Sequence, residues 1–392
     1  MSDANTSSIA KIAETTLGTT PATPELTLIG FTGEDLRNNK ETVQSQTIRS
    51  DRQVPDLVKV GTSPEGGYEF ELNYGDYDEE LRGGLGAVAW NNHSDGAGDY
   101  NFDSSAQTLV DNGAGGIFSD VVAGALLKIA SAEDANNDGL HRVLSVSSDG
   151  NTVTFAAGSL GSTNVNDTTA LSTQIAIVNG ATKPSMTIEK AILNLNGTTF
   201  YQVFKGLVVD TLSLNFESKT ILTGAVQFIG MSRVLGTSTI DNAGGYTDPG
   251  GAAVMNGTNN VGTISFDGVA ATESFKSITM EIANNLRGKD AMGTEGNFDI
   301  GTGTFTLTGT ISAYFLDNDL LTLMDANTSF ALDYSVTDDA GNAYHFFMPN
   351  CKPANGDPTI EAINTDVMLD LEYQAIRDTT YDITLAINKV PA

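Results

Sequence analysis

The strongest constraint on the fold is a two-residue alternation. Across residues 68–74, Tyr68, Phe70, Leu72 and Tyr74 fall on one side, and Glu69, Glu71 and Asn73 fall on the other. Successive side chains of a strand point to opposite faces, so this stretch reads as a strand with one buried face. The alternation recurs at Leu212, Leu214 and Phe216, at Ile278, Met280 and Ile282, and at Phe305, Leu307, Gly309, Ile311 and Ala313. It returns at Val367, Leu369, Leu371 and Tyr373. Charged residues are sparse at 18%, and Gly and Thr are abundant, which suits many strands and turns rather than long helices.

The first strand is preceded by a polar run with no apolar period. It opens with Asn39, Lys40 and Glu41 and passes through Arg49, Ser50, Asp51, Arg52 and Gln53. A long polar arm leading into a regular strand suits a loop that grips a neighbour. The run from Glu41 to Leu81, with Ser50-Asp51-Arg52-Gln53 at its centre, resembles the signature of siphophage major tail tube proteins. A second similar stretch runs from Asn364 to Ala375 and is followed by Tyr381–Ile387. The resemblance covers most of residues 25–100 and 185–390. It implies a β-sandwich or barrel subunit that stacks in rings and forms the tube through which genome DNA leaves a capsid. It also implies tape measure, tail tip and tail terminator proteins as partners, and a place in the virion tail after assembly in the host cytoplasm. Arg49, Ser50, Asp51, Arg52 and Gln53 are the expected assembly-contact loop, where Arg can pair bidentately with a carboxylate.

The formal net charge is −29. Phosphate neutralisation needs clustered Lys and Arg, so a chain this acidic is not expected to hold DNA. A conduit benefits, because a wall that bound DNA would retard it; acidity also keeps a concentrated protein soluble. The single cysteine, Cys351, excludes an intrachain disulfide framework. No basic segment followed by an apolar core is seen near the start, and no apolar run is long enough to span a bilayer. An exported cell-surface or S-layer-like β protein is the alternative reading, and should show an export signal.

Taken in order, residues 1–24 read as a flexible arm. Residues 25–103 and 181–235 read as a first tail tube module, with a short helix N-capped by Asp76, carrying Tyr77, Leu81 and Leu85 on one face, and ended by Gly83 and Gly84. Asn91–Asp103 reads as a linker into a small inserted β-barrel at 104–180 on the outer surface. Residues 236–261 are Gly- and Asn-rich and read as a second linker, and residues 262–392 as a second module. Its order of strand, polar arm, strand and helix, the helix capped by Asp317, matches the first part. Val367, Leu369, Leu371 and Tyr373 are matched to Leu212, Leu214 and Phe216. Ile383, Leu385 and Ile387 are matched to the strand ending near Met231. Two fused modules need three chains for a pseudo-sixfold homotrimeric ring; hexameric rings are the alternative.

Candidate chemistry is thin, and no enzyme, metal site or cofactor is expected. Asp134–Gly139 fits the first half of a calcium loop, but Ser145 stands where the bidentate Glu is needed. His93, His141 and His345 lack metal-ligand spacing. There is no Gly-x-Ser-x-Gly elbow, and Gly288-Lys289-Asp290 lacks the rest of a phosphate loop. Asn196-Gly197-Thr198 and Asn256-Gly257-Thr258 read as turns.

Overall fold

A computed structural model describes residues 6–113, 115–193, 197–242, 244–272, 274–316, 318–360, 362–363 and 365–392. The expected caps and turns at Asp317 and Asn196 lie outside them. The chain is mainly β, in antiparallel sheets, and no described sheet closes into a barrel.

The first elements are β1 (Ser7–Glu14), β2 (Thr27–Leu28), β3 (Gly33–Glu34), β4 (Arg37–Gln44), β5 (Leu57–Glu71) and α1 (Asp78–Leu85). Then come β6 (Asn91–Asp95), β7 (Tyr100–Asp103), β8 (Thr108–Asp111), β9 (Leu126–Ala130), β10 (Gly139–Val146), β11 (Thr152–Phe155), β12 (Asn164–Asp167) and β13 (Leu171–Val178). They are followed by β14 (Ser185–Leu193), β15 (Thr199–Glu217), β16 (Thr223–Ile229) and β17 (Ser232–Gly236). The remaining strands before the second helix are β18 (Ser265–Phe266), β19 (Val269–Ala270), β20 (Phe275–Ala283), β21 (Arg287–Lys289), β22 (Asp299–Gly301) and β23 (Thr306–Tyr314). The chain ends with α2 (Asp319–Asp325), β24 (Phe330–Thr337), β25 (Ala343–Asn355), β26 (Pro358–Thr359), β27 (Met368–Ala375) and β28 (Ala386–Val390).

The pairing order occurs twice. In the first half β4 pairs β5, β5 pairs β16, β16 pairs β15, β15 pairs β14, and β14 pairs β1. In the second half β20 pairs β23, β23 pairs β27, β27 pairs β25, β25 pairs β24, and β24 pairs β18. Each helix follows the same strand of its half. Along one edge β15 meets first β17 and then β16, and β25 meets first β28 and then β27. The structural counterpart of β27 is therefore β16, not the strand of Leu212, Leu214 and Phe216, and that of β28 is β17. Alternation is shared by every core strand, so it does not distinguish a strand from its neighbour.

The C-terminal part of β15 pairs β20 and joins the halves. A single run results, β4-β5-β16-β15-β20-β23-β27-β26, in which four strand types appear twice in the same order. Its inner face builds one hydrophobic core, which includes Tyr68, Phe70, Leu212, Leu214, Met280, Ile311 and Leu371.

Several local expectations are corrected. Residues 7–14, expected in a flexible arm, form β1 along β14 and bury Ile9 and Ala10, because β14 offers them a full ladder of backbone partners. Residues 91–103 hold β6 and β7 rather than a linker; β6 gains its partners from β13. Residues 236–261 are pinned to the body by Thr247 against Leu26 and by Met255, fully buried between Leu72 and Leu222. Asp76 does not cap α1; its carboxylate accepts from Asn73 and from the Gly250 N–H. Gly83 and Gly84 lie within α1, where a Cβ would come 2.6 Å from Val209 and 2.7 Å from Leu212. They bring the helix close to β15, and Gly86, at φ 59°, ends it.

A second cluster, with Tyr100, Phe102, Phe118, Val143 and Phe155, lies under the strands between residues 100 and 170. Those strands form an open series, β12-β7-β8-β11-β10-β9-β13-β6, not the expected closed barrel. β13 also pairs β28, and Arg142 bridges to Asp333 and lies over the Phe347 ring.

Candidate assembly surfaces

The outward face of the six central strands of the run is mostly polar. One row across it reads Glu69, Ala225, Ser213, Glu281, Thr308 and Gln374. The next reads Glu71, Thr223, Asn215, Thr279, Thr310 and Glu372. Glu217 and Asp370 extend the pattern, and Ser312 donates to Asp370 at 2.5 Å. None of these positions is Lys or Arg. The alternation that buries one face thus leaves the other as a broad acidic field.

The β4–β5 hairpin carries the five expected contact residues at its tip. Arg49 donates through Nε to Asp51 Oδ1 at 3.1 Å and through Nη2 to Asp51 Oδ2 at 2.8 Å. The Arg49 guanidinium, and then the Gln53 N–H, hold the Asp51 carboxyl below its usual range. Arg52 sits at φ 58° and donates its N–H to Arg49 O. The loop is therefore a tight, self-bonded turn. Around it the hairpin exposes Val43, Val54, Leu57 and Val58, and Ile48 is 98% exposed. That apolar content on a projecting arm was not legible as such, because it is scattered among polar residues.

The corresponding arm of the second half, residues 284–305, is folded down. Glu295 O accepts from the Thr62 N–H at 2.7 Å, and Asn297 donates to Gly230 O at 2.8 Å. Asp299 is held between Lys183 at 2.8 Å and Lys289 at 2.6 Å, which lowers its carboxyl pKa far below the usual range.

The histidines and the calcium-like turn are structurally engaged. Asp134 accepts from the Asn136 N–H and Asp138 from the Ala132 N–H. No group of metal-ligating side chains is found among the described residues. His141 is buried and donates its Nε2–H to Asn137 O. His93 Nδ1 meets Asp120 at 2.8 Å and Nε2 meets Ser172 Oγ at 3.0 Å, the hydrogen-bond order of a hydrolase triad. Ser172 is only 2% exposed, and His93 packs on Phe118, so a substrate carbonyl has no approach to the hydroxyl. No helix among the described residues is long and apolar enough to cross a membrane.

A family model described as phage tail tube protein matches residues 4–375. No curated protein matches the chain.

Proposed function

The chain belongs to the phage tail tube protein family, and from that premise we propose that its acidic sheet face lines the lumen of a tube of stacked rings that conducts genome DNA. Membership makes it a structural component of the virion tail that assembles with itself and with other tail components. The observation that carries the lumen reading is the pair of rows across β5, β16, β15, β20, β23 and β27, from Glu69 to Gln374 and from Glu71 to Glu372, which hold no basic residue. Such a wall gives DNA phosphates nothing to exchange for their counterions, so DNA slides without being retained.

The doubled pairing order supports two tail tube modules per chain and three chains per ring. Roughly two dozen strands would then surround the lumen, a size that side chains cannot fill. The tip at Arg49, Ser50, Asp51, Arg52 and Gln53 contacts a neighbouring ring, where its exposed valines and Ile48 gain cover. Residues 104–180 face outward, on the side of the sheet remote from the lumen. Tape measure, tail tip and tail terminator proteins are the other partners, assembly takes place in the host cytoplasm, and the chain performs no catalysis.

Negative-stain electron microscopy of the purified protein at rising concentration tests this. Hollow rings with threefold or pseudo-sixfold symmetry are expected. True sixfold symmetry with a full chain at each position would remove the three-chain ring. Monomers that never add to purified tail tips would remove the tube.

A further inference from the structure

The eight-strand run contains a junction of the kind its two ends could make with each other. At its middle, β15 pairs β20 from Thr211 opposite Ala283 to Glu217 opposite Ser277. The counterpart of β15 in the second half is β25 continued by β26. Leu214 faces Gly224 as Pro358 faces Leu369, and Asn215 faces Thr223 as Thr359 faces Met368. Both strands also carry an irregularity at the same place, between Val209 and Thr211 and between Pro353 and Asn355. The counterpart of β20 in the first half is β3 continued by β4, because Ile278 faces Ile311 on β23 as Glu34 faces Tyr68 on β5. Yet no strand among the described residues pairs with the outer edge of β3–β4 or with that of β26.

Resting on the tube reading above, we propose that residues 355–360 of one chain pair antiparallel with residues 34–39 of a second copy, in the register of the β15–β20 junction. Leu214 opposite Met280 then becomes Pro358 opposite Leu36, apolar against apolar on the core side. Ser213 opposite Glu281 becomes Asp357 opposite Arg37, acid against base on the polar face. Both are exposed side chains, and Arg37 already sits between Asp35 and Glu65. An exposed edge is a template for another chain, and a pairing between two different edges is heterologous, so it repeats around a ring until the ring closes. Pro358 brings no N–H to the edge, which lowers its capacity for indiscriminate pairing. The junction continues the polar face from one chain to the next, with Arg37 set among its carboxylates.

Cysteine cross-linking tests the register. Cys351 is fully buried, so it adds no background. Assembled R37C/D357C protein, mildly oxidised, is expected to give covalent species that stop at three chains. A T42C/D357C control, out of register, is expected to give none. Mixing R37C chains with D357C chains should link them pairwise, while neither variant alone links to itself. Tubes that form without the matched link, equal linking of the control, or self-linking of either single variant would overturn the seam and leave the tube intact. Wild-type protein that forms no rings or tubes, alone or on tail tips, overturns both. Hydrogen exchange on the wild-type chain reads the same seam without substitutions. Amides of residues 34–39 and 355–360 should slow by more than about tenfold on assembly, and unchanged exchange there in assembled tubes refutes the pairing.

Discussion

Lys11 Nζ donates to both carboxylate oxygens of Glu80, at 2.7 and 2.5 Å, with both side chains buried. Lys11 also donates to Asp76 O at 2.7 Å, and the Tyr68 hydroxyl donates to Glu80. One ion pair thus locks β1, α1 and β5 together. Removing one partner strands a charge in the core, which costs about 3–5 kcal/mol. Lys11→Met is expected to lower stability by that amount in urea unfolding, and Lys11→Met/Glu80→Gln to recover much of it. Wild-type stability in Lys11→Met would show that water reaches Glu80.

The same pair shows what the sequence conveys and what it hides. Lys11 lies in a Ser-, Thr- and Ala-rich opening, and nothing local says that a carboxylate 69 residues away will neutralise it. By contrast, residues 68–71 declare their strand through strict alternation. The polar strand β4 does not, because both its faces are largely exposed, and backbone bonds with polar side-chain contacts to Glu65 hold it to β5. β24 alternates too, through Phe330, Leu332, Tyr334 and Val336. The similar order of elements in the two halves was legible, but matching strand to strand needed the pairing. A finer signal does exist. Phe228 faces Gly66 on β5, and Tyr373 faces Gly309 on β23, so an aromatic covers a glycine at equivalent places. A substituent on Gly309 would strike Thr279 O and the Tyr373 ring, and the Tyr373 hydroxyl donates to Thr279 O at 3.0 Å.

Arg52→Ala is expected to leave the monomer folded, with stability changed by no more than about 0.5 kcal/mol, since the side chain is exposed at a hairpin tip. Polymerisation should slow, as read by sedimentation. Assembly of this variant at the wild-type rate would remove the tip from the contact surface.

The second arm is expected to loosen in acid. Hydrogen bonds from Lys183, then from Lys289, hold the Asp299 carboxyl far below its usual range. A depressed folded value means that the stabilisation is fully present above the unfolded value of about 3.9 and is lost as pH falls from there toward the folded value. Amide exchange in residues 287–301, corrected for intrinsic rate, should therefore accelerate below about pH 4 in the wild type. Asp299→Asn should show fast exchange at neutral pH and little further change on acidification. A wild-type profile that is flat through this range would mean that Asp299 does not anchor the arm.

Reversing the charge of the sheet face offers the most direct reading of its role. Glu69, Glu281 and Glu372 are exposed and bury nothing of the core, so Glu69→Lys/Glu281→Lys/Glu372→Lys should fold and assemble. Each chain then presents three cations where it had three anions. Tubes of this variant are expected to retain double-stranded DNA at low salt. Retention should fall with log salt at a slope of about 0.9 per phosphate neutralised. Wild-type tubes should retain none. If the lysines were on the outer wall, duplex DNA would still bind, but a bulky end-label that blocks entry would not matter. Retention that requires free tube ends and a free DNA end therefore locates the face in the lumen, and retention indifferent to both places it outside.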